Sequence, residues 1–181
     1  DGQFREAGNP VDTGGQRTMM QILNRYKEIG TTAEVDFKTT RPCFATQTSH
    51  VNQVVADTKT WETSVAFRLE QCVRDGIVRC YARNDGLGLA IPYEYMGVDH
   101  TYEPDFLVRL NVPGQGEVTL LLEVKGYEDD RTQAKHMADQ RWIMAVNNWS
   151  KLGQWQFHVC RNPQLLDKEI AFLVNHGRKA A

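Results

Sequence analysis

Apolar residues return at two different periods along this chain, and the changes of period divide it into elements. Trp61, Val65, Leu69, Cys72 and Val73 recur at helical spacing, with Gly76 to end the run. Residues 77–83 alternate as a strand does, Asn84-Asp85-Gly86 reads as a turn, and 89–95 reads as a further extended piece. Ala134, Ala138, Trp142, Ala145, Val146 and Trp149 line one side of a long helix, so Trp142 and Trp149 read as core rather than as base-stacking platforms. Trp155, Phe157 and Val159 alternate as another strand. Asn162-Pro163 caps a last helix that carries Leu166, Ile170, Leu173 and Val174 and stops at Gly177. The order predicts an α/β fold, a mixed sheet flanked by helices.

Between the extended piece and the long helix lies the clearest pattern of all. Two apolar runs, 106–112 and 118–124, are joined by a short Pro/Gly segment and predict an antiparallel hairpin. Pairing Pro113 with Glu117 across Gly114-Gln115-Gly116 puts Phe106, Val108, Leu110 and Val112 on one face, opposite Val118, Leu120, Leu122 and Val124. The other face then carries Asp105, Leu107, Arg109 and Asn111 opposite Thr119, Leu121, Glu123 and Lys125. Because side chains alternate with period two, a one-residue slip would mix the faces and bury charge. An odd-length loop or a compensating bulge is therefore expected. Asp105, Glu123 and Lys125 should meet at the open end of the hairpin.

The stretch before residue 57 is weaker. Residues 1–17 are rich in Gly, Asn and Pro, and 19–30 could form a short helix closed by Gly30. Short extended pieces follow around Val35-Asp36-Phe37 and Cys43-Phe44-Ala45-Thr46. Residues 1–56 read as a linker or the tail of an upstream region, and 57–181 as the main domain. The start at Asp1 rather than Met suggests a fragment of a longer polypeptide. At 181 residues with a net charge of −2, the chain does not grip nucleic acid by bulk basicity. No apolar run is long enough to span a membrane. The 4 cysteines are scattered without a CxxC pair, which suits reduced thiols in a cytoplasmic protein.

The candidate chemistry sits where the hairpin opens. Two carboxylates about 4 Å apart repel by roughly 4 kcal/mol at an effective dielectric near 20, and a cation between them removes that penalty. Oxygen donors favour Mg²⁺, Mn²⁺ or Ca²⁺ over zinc. Asp105 and Glu123 are the expected ligands, with the backbone carbonyl of Val124 as a third, and Lys125 is placed to orient water or steady charge on a phosphate. Glu62, in the first turn of its helix, fits either a helix-dipole preference or a water-mediated hold on the metal. Lys135 and Gln133 fit either a solvated helix face or contacts to DNA phosphate. Asp129, Asp130 and Asp139 read as surface charge, and His100, His136 and His158 show no metal spacing.

These spacings resemble the PD-(D/E)XK nuclease superfamily: Pro104-Asp105, then Glu123-Val124-Lys125, after a helix carrying Glu62. More narrowly, the chain is similar to the C-terminal endonuclease domain of type III restriction enzymes, on the restriction (Res) subunit. The likeness rests on Asp57-Thr58-Lys59-Thr60-Trp61-Glu62, Ala82-Arg83-Asn84, Ile91-Pro92-Tyr93, Tyr102-Glu103-Pro104-Asp105-Phe106 and Leu122-Glu123-Val124-Lys125-Gly126. Gly30-Thr31-Thr32 and the segment from Val35 to Thr40 resemble the join to an upstream helicase motor.

The resemblance implies a restriction-endonuclease-like αβββαβ core and a Mg²⁺-dependent DNA endonuclease, with Mn²⁺ able to substitute. It implies double-stranded DNA as substrate, a helicase or translocase region upstream on the same polypeptide, and a separate DNA methyltransferase (modification) subunit that reads the site. The chain has no GxxxxGK[ST] loop, so ATP is not bound here. A non-catalytic DNA-binding or docking module on the same fold, or a nuclease of a repair pathway, would share these residues.

Overall fold

The computed structural model describes residues 35–56, 61–126 and 130–176. The expected helix over 19–30, the motif residues Asp57 to Thr60, Asp129 and the stop at Gly177 lie outside the described residues. The elements are β1 (Cys43–Ala45), β2 (Gln53–Val55), α1 (Trp61–Arg74), β3 (Val78–Arg83), β4 (Ile91–Tyr95), β5 (Val98–Tyr102), β6 (Phe106–Val112), β7 (Gly116–Val124), α2 (Asp130–Trp149), β8 (Gln154–Cys160) and α3 (Leu166–His176), the last preceded by a single 3₁₀ turn. A four-stranded sheet runs β3-β6-β7-β8, antiparallel except for the parallel β7–β8 pair that the α2 crossover makes possible. The expected mixed α/β architecture is therefore present.

Each face of the sheet buries its own core. On the first face, Phe106, Val108, Leu110, Val118, Leu120 and Leu122 pack with Val65, Leu69 and Cys72 of α1 and Leu166, Ile170 and Val174 of α3. On the second, Leu107, Leu121 and Phe157 meet Ala138, Trp142 and Val146 of α2, together with Ile91, Tyr93 and Tyr102 of the β4–β5 hairpin. Helix α1 ends because Gly76 takes φ 75, letting its N–H reach Val73 O and the Ile77 N–H reach Cys72 O. That pair of bonds is the left-handed stop that Gly adopts at little cost. At the other end of the chain, Asn162 Oδ1 accepts from the Gln164 N–H (3.0 Å) and caps the turn into α3.

The β6–β7 hairpin keeps the expected faces but not the expected partners. Val112, not Pro113, closes the ladder, pairing with Gly116 across Pro113-Gly114-Gln115. The reason is turn chemistry. Gln115 N–H donates to Val112 O (3.1 Å), Pro113 holds the second position and Gly114 takes φ 80 at the third, the signature of a type II turn. Proline has no N–H for the ladder, so the turn claims it. The shift is two residues, which leaves both faces intact.

Two further features were not foreseen. The extended piece 89–95 is one arm of a hairpin, β4–β5, turned by Met96 (φ 51) and Gly97 (φ 75). Residues 43–56, expected as a linker or the tail of an upstream region, fold onto the first core: Val54 is fully buried there, and Phe44 meets Phe67 edge-on at 6.4 Å.

Glu70 of α1 anchors the loop that follows β1. Its carboxylate accepts from the N–H groups of Gln47 (3.0 Å) and Thr48 (3.1 Å), from the Thr48 hydroxyl (2.7 Å) and from the Tyr81 phenol (2.8 Å). Burial alone would raise its pKa, but the bonds from Thr48, Tyr81 and Gln47 outweigh that and hold it below the ordinary carboxylate value. Removing it strands the buried Tyr81 hydroxyl and the half-buried donors of Thr48. Glu70→Ala should lose about 2–4 kcal/mol in urea unfolding. The Glu70 contribution is present above the ordinary carboxylate pKa and disappears as pH falls through the depressed one. The gap between wild type and Glu70→Ala should therefore narrow in acid.

Candidate active site

The end of the sheet away from the type II turn is where the polar residues gather. Asp105 stands just before β6, where its carbonyl accepts from the Asn84 N–H (2.9 Å) and ties it to the end of β3. Its Oδ2 accepts from the Val124 N–H at 2.7 Å. Glu123 is the next-to-last residue of β7 and only 6% exposed. With the register shifted by two, extending it one residue beyond the last pair, Phe106 and Leu122, sets Asp105 opposite Glu123 rather than Lys125, and the charge of Asp105 acts on Glu123. Lys125 follows β7 on the same face as Glu123, its N–H bonded to Cys160 O (3.0 Å).

Gly126 explains how helix α1 reaches this point. A Cβ there would stand 2.8 Å from the Trp61 ring, so only glycine lets the indole close over the end of β7. Trp61 and Glu62 begin α1, and their seat on Gly126 brings Glu62 close enough for its charge to raise the pKa of Asp105. Glu62 Oε2 and Glu123 Oε2 are buried and have no hydrogen-bond partner among the described residues.

Electrostatics at this spot oppose ionisation. The Glu123 carboxyl is pushed up to about 8 by burial and then by Asp105, with Asp139 adding to the rise and Lys125 and Lys135 opposing it. Asp105 is raised as well, by burial, although the Val124 N–H, Arg83 and Lys125 pull it back.

Asp139 overturns its reading as surface charge. It is fully buried on the inner side of α2, and burial lifts it to about 7 against the pull of Tyr102 and Lys135. Tyr102 in turn is pushed far above the phenol range by burial and by Asp139. Lys135 is not on a solvated face either. Its Nζ lies 4.8 Å from the Tyr102 ring centre and 5.8 Å from that of Tyr93, turned toward the acids. Gln133 goes the other way, to the exposed stripe of α2 with Met137 and Met144, and the structure does not bring it to the acids.

The structure thus gathers Asp105, Glu123, Lys125, Glu62 and Lys135, and adds Asp139, Tyr102 and Arg83. Arg83 ends β3 beside Asp105, 6% exposed, bonded to Asp85 (2.7 Å) and 5.8 Å over the Phe106 ring. One signal in the sequence pointed to Asp139: it sits between Ala138 and Trp142 of the buried stripe, four residues after Lys135. The histidines are occupied elsewhere, His100 stacked on Tyr93, His136 against Phe157 and His158 bonded to Glu169 (2.8 Å).

Among the described residues, no three His, Cys, Asp or Glu side chains come together closely enough to hold an ion by themselves. A cation here would need the two facing carboxylates and a main-chain oxygen. The Val124 N–H points at Asp105, and a ladder residue directs its N–H and C=O toward the same neighbour, so its carbonyl is available on that side. Buried acids with raised pKa values and oxygens left without donors fit a divalent cation on chemical grounds. No described helix is long and apolar enough to cross a membrane. Compared with known proteins, the chain matches no family model, no curated protein and no solved structure.

Proposed function

We propose that this chain is a metal-dependent DNA endonuclease domain of the PD-(D/E)XK type, part of a type III restriction-modification system. The observation that carries the reading is the buried meeting of Asp105 and Glu123 with Lys125 at one strand end. With the β4–β5 hairpin set aside as an insertion between β3 and β6, the order α1, β3, β6, β7, α2, β8 supports it too, being the αβββαβ sequence that a restriction-endonuclease-like core would have. Asp105, Glu123 and the Val124 carbonyl would hold Mg²⁺ or Mn²⁺, with Glu62 acting through water. When bound, the ion supplies a water of lowered pKa and polarises the phosphate.

The residues themselves do the rest. Lys125 steadies the negative charge that grows on the phosphate and orients the attacking water. Lys135 and Lys125 together offset the charge of Glu123 when it ionises. The Val124 N–H fixes the Asp105 carboxylate in one orientation. Double-stranded DNA is the proposed substrate, delivered by an upstream translocase and a modification subunit, so the chain's own grip on DNA should be weak and salt-sensitive.

The test is nicking of supercoiled plasmid by wild type and Asp105→Ala with Mg²⁺ or Mn²⁺, alongside a calorimetric Mn²⁺ titration of wild type and Glu123→Gln. Metal-dependent nicking that disappears in Asp105→Ala, with Mn²⁺ heat lost in Glu123→Gln, is expected. Nicking that survives the substitution, or equal heats from the two proteins, would remove these residues from the mechanism. Mn²⁺ binding without nicking by wild type would favour a non-catalytic module.

A further inference from the structure

The second face of the sheet is covered only over part of its length. In the cross-strand row Ala82, Leu107, Leu121 and Phe157, the last three pack with α2 and the β4–β5 hairpin, while Ala82 and Leu107 also edge the uncovered part. The next row toward the type II turn is Cys80, Arg109, Thr119 and Trp155, each paired with its neighbour in register. That row floors a cavity of about 630 Å³, walled by Leu87 and Leu89 from the loop after β3. Its size falls in the range of small-molecule sites, about 300–1,000 Å³.

The polar groups are arranged with a surplus of positive charge. Arg79 pairs with Glu117, and Arg109 approaches the same carboxylate only loosely, at 3.8 Å. Two guanidinium groups thus share one carboxylate. Arg109 also donates through Nη1 to the Thr119 hydroxyl, which holds its planar fork in place across the β6–β7 pair. Trp155 is held too, its main-chain N–H bonded to Asn147 Oδ1 (2.8 Å), its indole N–H to Leu152 O (2.9 Å) and its ring edge-on to Trp142 at 5.0 Å. A fixed arginine fork beside an indole and two leucines suits a ligand with both a charge and a flat apolar body.

The geometry points to a second ligand site on this face, taking a flat-ringed small molecule that bears one carboxylate or phosphate, the anion on Arg109 and the ring between Trp155 and Leu89. Arg109 lies four residues along the strand from Asp105, about 13 Å at 3.3 Å per residue, with the Leu107 row between them. The site is therefore separate from the proposed nuclease centre and does not rest on that reading.

The experiment is calorimetric titration with adenosine 5′-monophosphate and with indole-3-carboxylate, using adenosine and inorganic phosphate as controls. At least one ring-bearing anion should saturate at least about tenfold more tightly than either control, and which of them does so decides between phosphate and carboxylate. Arg109→Gln and Leu89→Glu, each shown to be folded by its thermal melt, should each weaken that binding at least about tenfold. No saturation by either anion would overturn the proposal. So would unchanged binding in either folded variant. Should Arg109→Gln fail to fold, Leu89→Glu decides.

Discussion

Glu123→Gln should melt at a higher temperature than the wild-type protein at pH 8 in metal-free buffer. The carboxyl is buried against Asp105 and Asp139, and its pKa in the folded protein is near 8 instead of the ordinary 4.5. Below the ordinary value both folded and unfolded chains carry the proton, and burial of the neutral acid is tolerated. Between the two values the unfolded chain releases a proton that the folded chain keeps, so stability falls as pH rises. Near and above 8 the folded protein carries most of the penalty, of the order of 1–4 kcal/mol. Glutamine has the same shape and no charge to release. Its advantage should be several degrees at pH 8, given about 2–4 °C per kcal/mol for a chain of this size, and should close at pH 4. Melting curves at the two pH values measure this directly. Equal curves at pH 8, or a less stable variant, would mean that Glu123 is not strained in the fold. Added Mn²⁺ should stabilise wild type and leave Glu123→Gln nearly unmoved, because only the former gains a ligand in the folded state.

Lys125→Met should separate holding an ion from using it. Lys125 lowers the pKa of both acids but supplies no oxygen to a cation. Under the proposed function, plasmid nicking should fall by about 10²–10³ while the heat of Mn²⁺ binding persists, since one charge stabiliser aimed at the reacting phosphate is commonly worth that much. Lys125→Arg should recover only part of the rate, because a planar fork does not take the place of a compact ammonium. Nicking at the wild-type rate in Lys125→Met would exclude the role. A loss of Mn²⁺ heat in parallel with nicking would instead make Lys125 a support for the ligand set.

How much of this could be read from the residues follows from what burial enforces. The alternation of β6 and β7 was legible because a slip of one residue would put Arg109 and Glu123 into the first core. The cross-strand partners were not, since a slip of two changes no face. Only Pro113, with no N–H to give, decides between them. The β5 strand escaped because Met96-Gly97 lacks the Asn-Gly or Asp-Gly pair that announces a two-residue turn. Asp139 escaped for a different reason. Its burial depends on Tyr102 of the β4–β5 hairpin lying against α2, a long-range contact that helical periodicity does not encode. Glu62 fitted two readings in the sequence, and its nearness to the acids depends on the seat of Trp61 on Gly126, a long-range contact.

The Val112-Pro113-Gly114-Gln115 turn lies at the opposite end of the hairpin from Asp105, about 23 Å away at 3.3 Å per residue. It nevertheless selects the acid's mate. Sliding that three-residue corner one position along the chain in either direction would leave every apolar side chain indoors and the protein outwardly sound. It would also rotate the roster at the far rim, setting Asp105 across from Leu121 or from Lys125 in place of Glu123. Variation in this corner is thus a remote tuner of charge pairing, invisible to any measure of hydrophobic content.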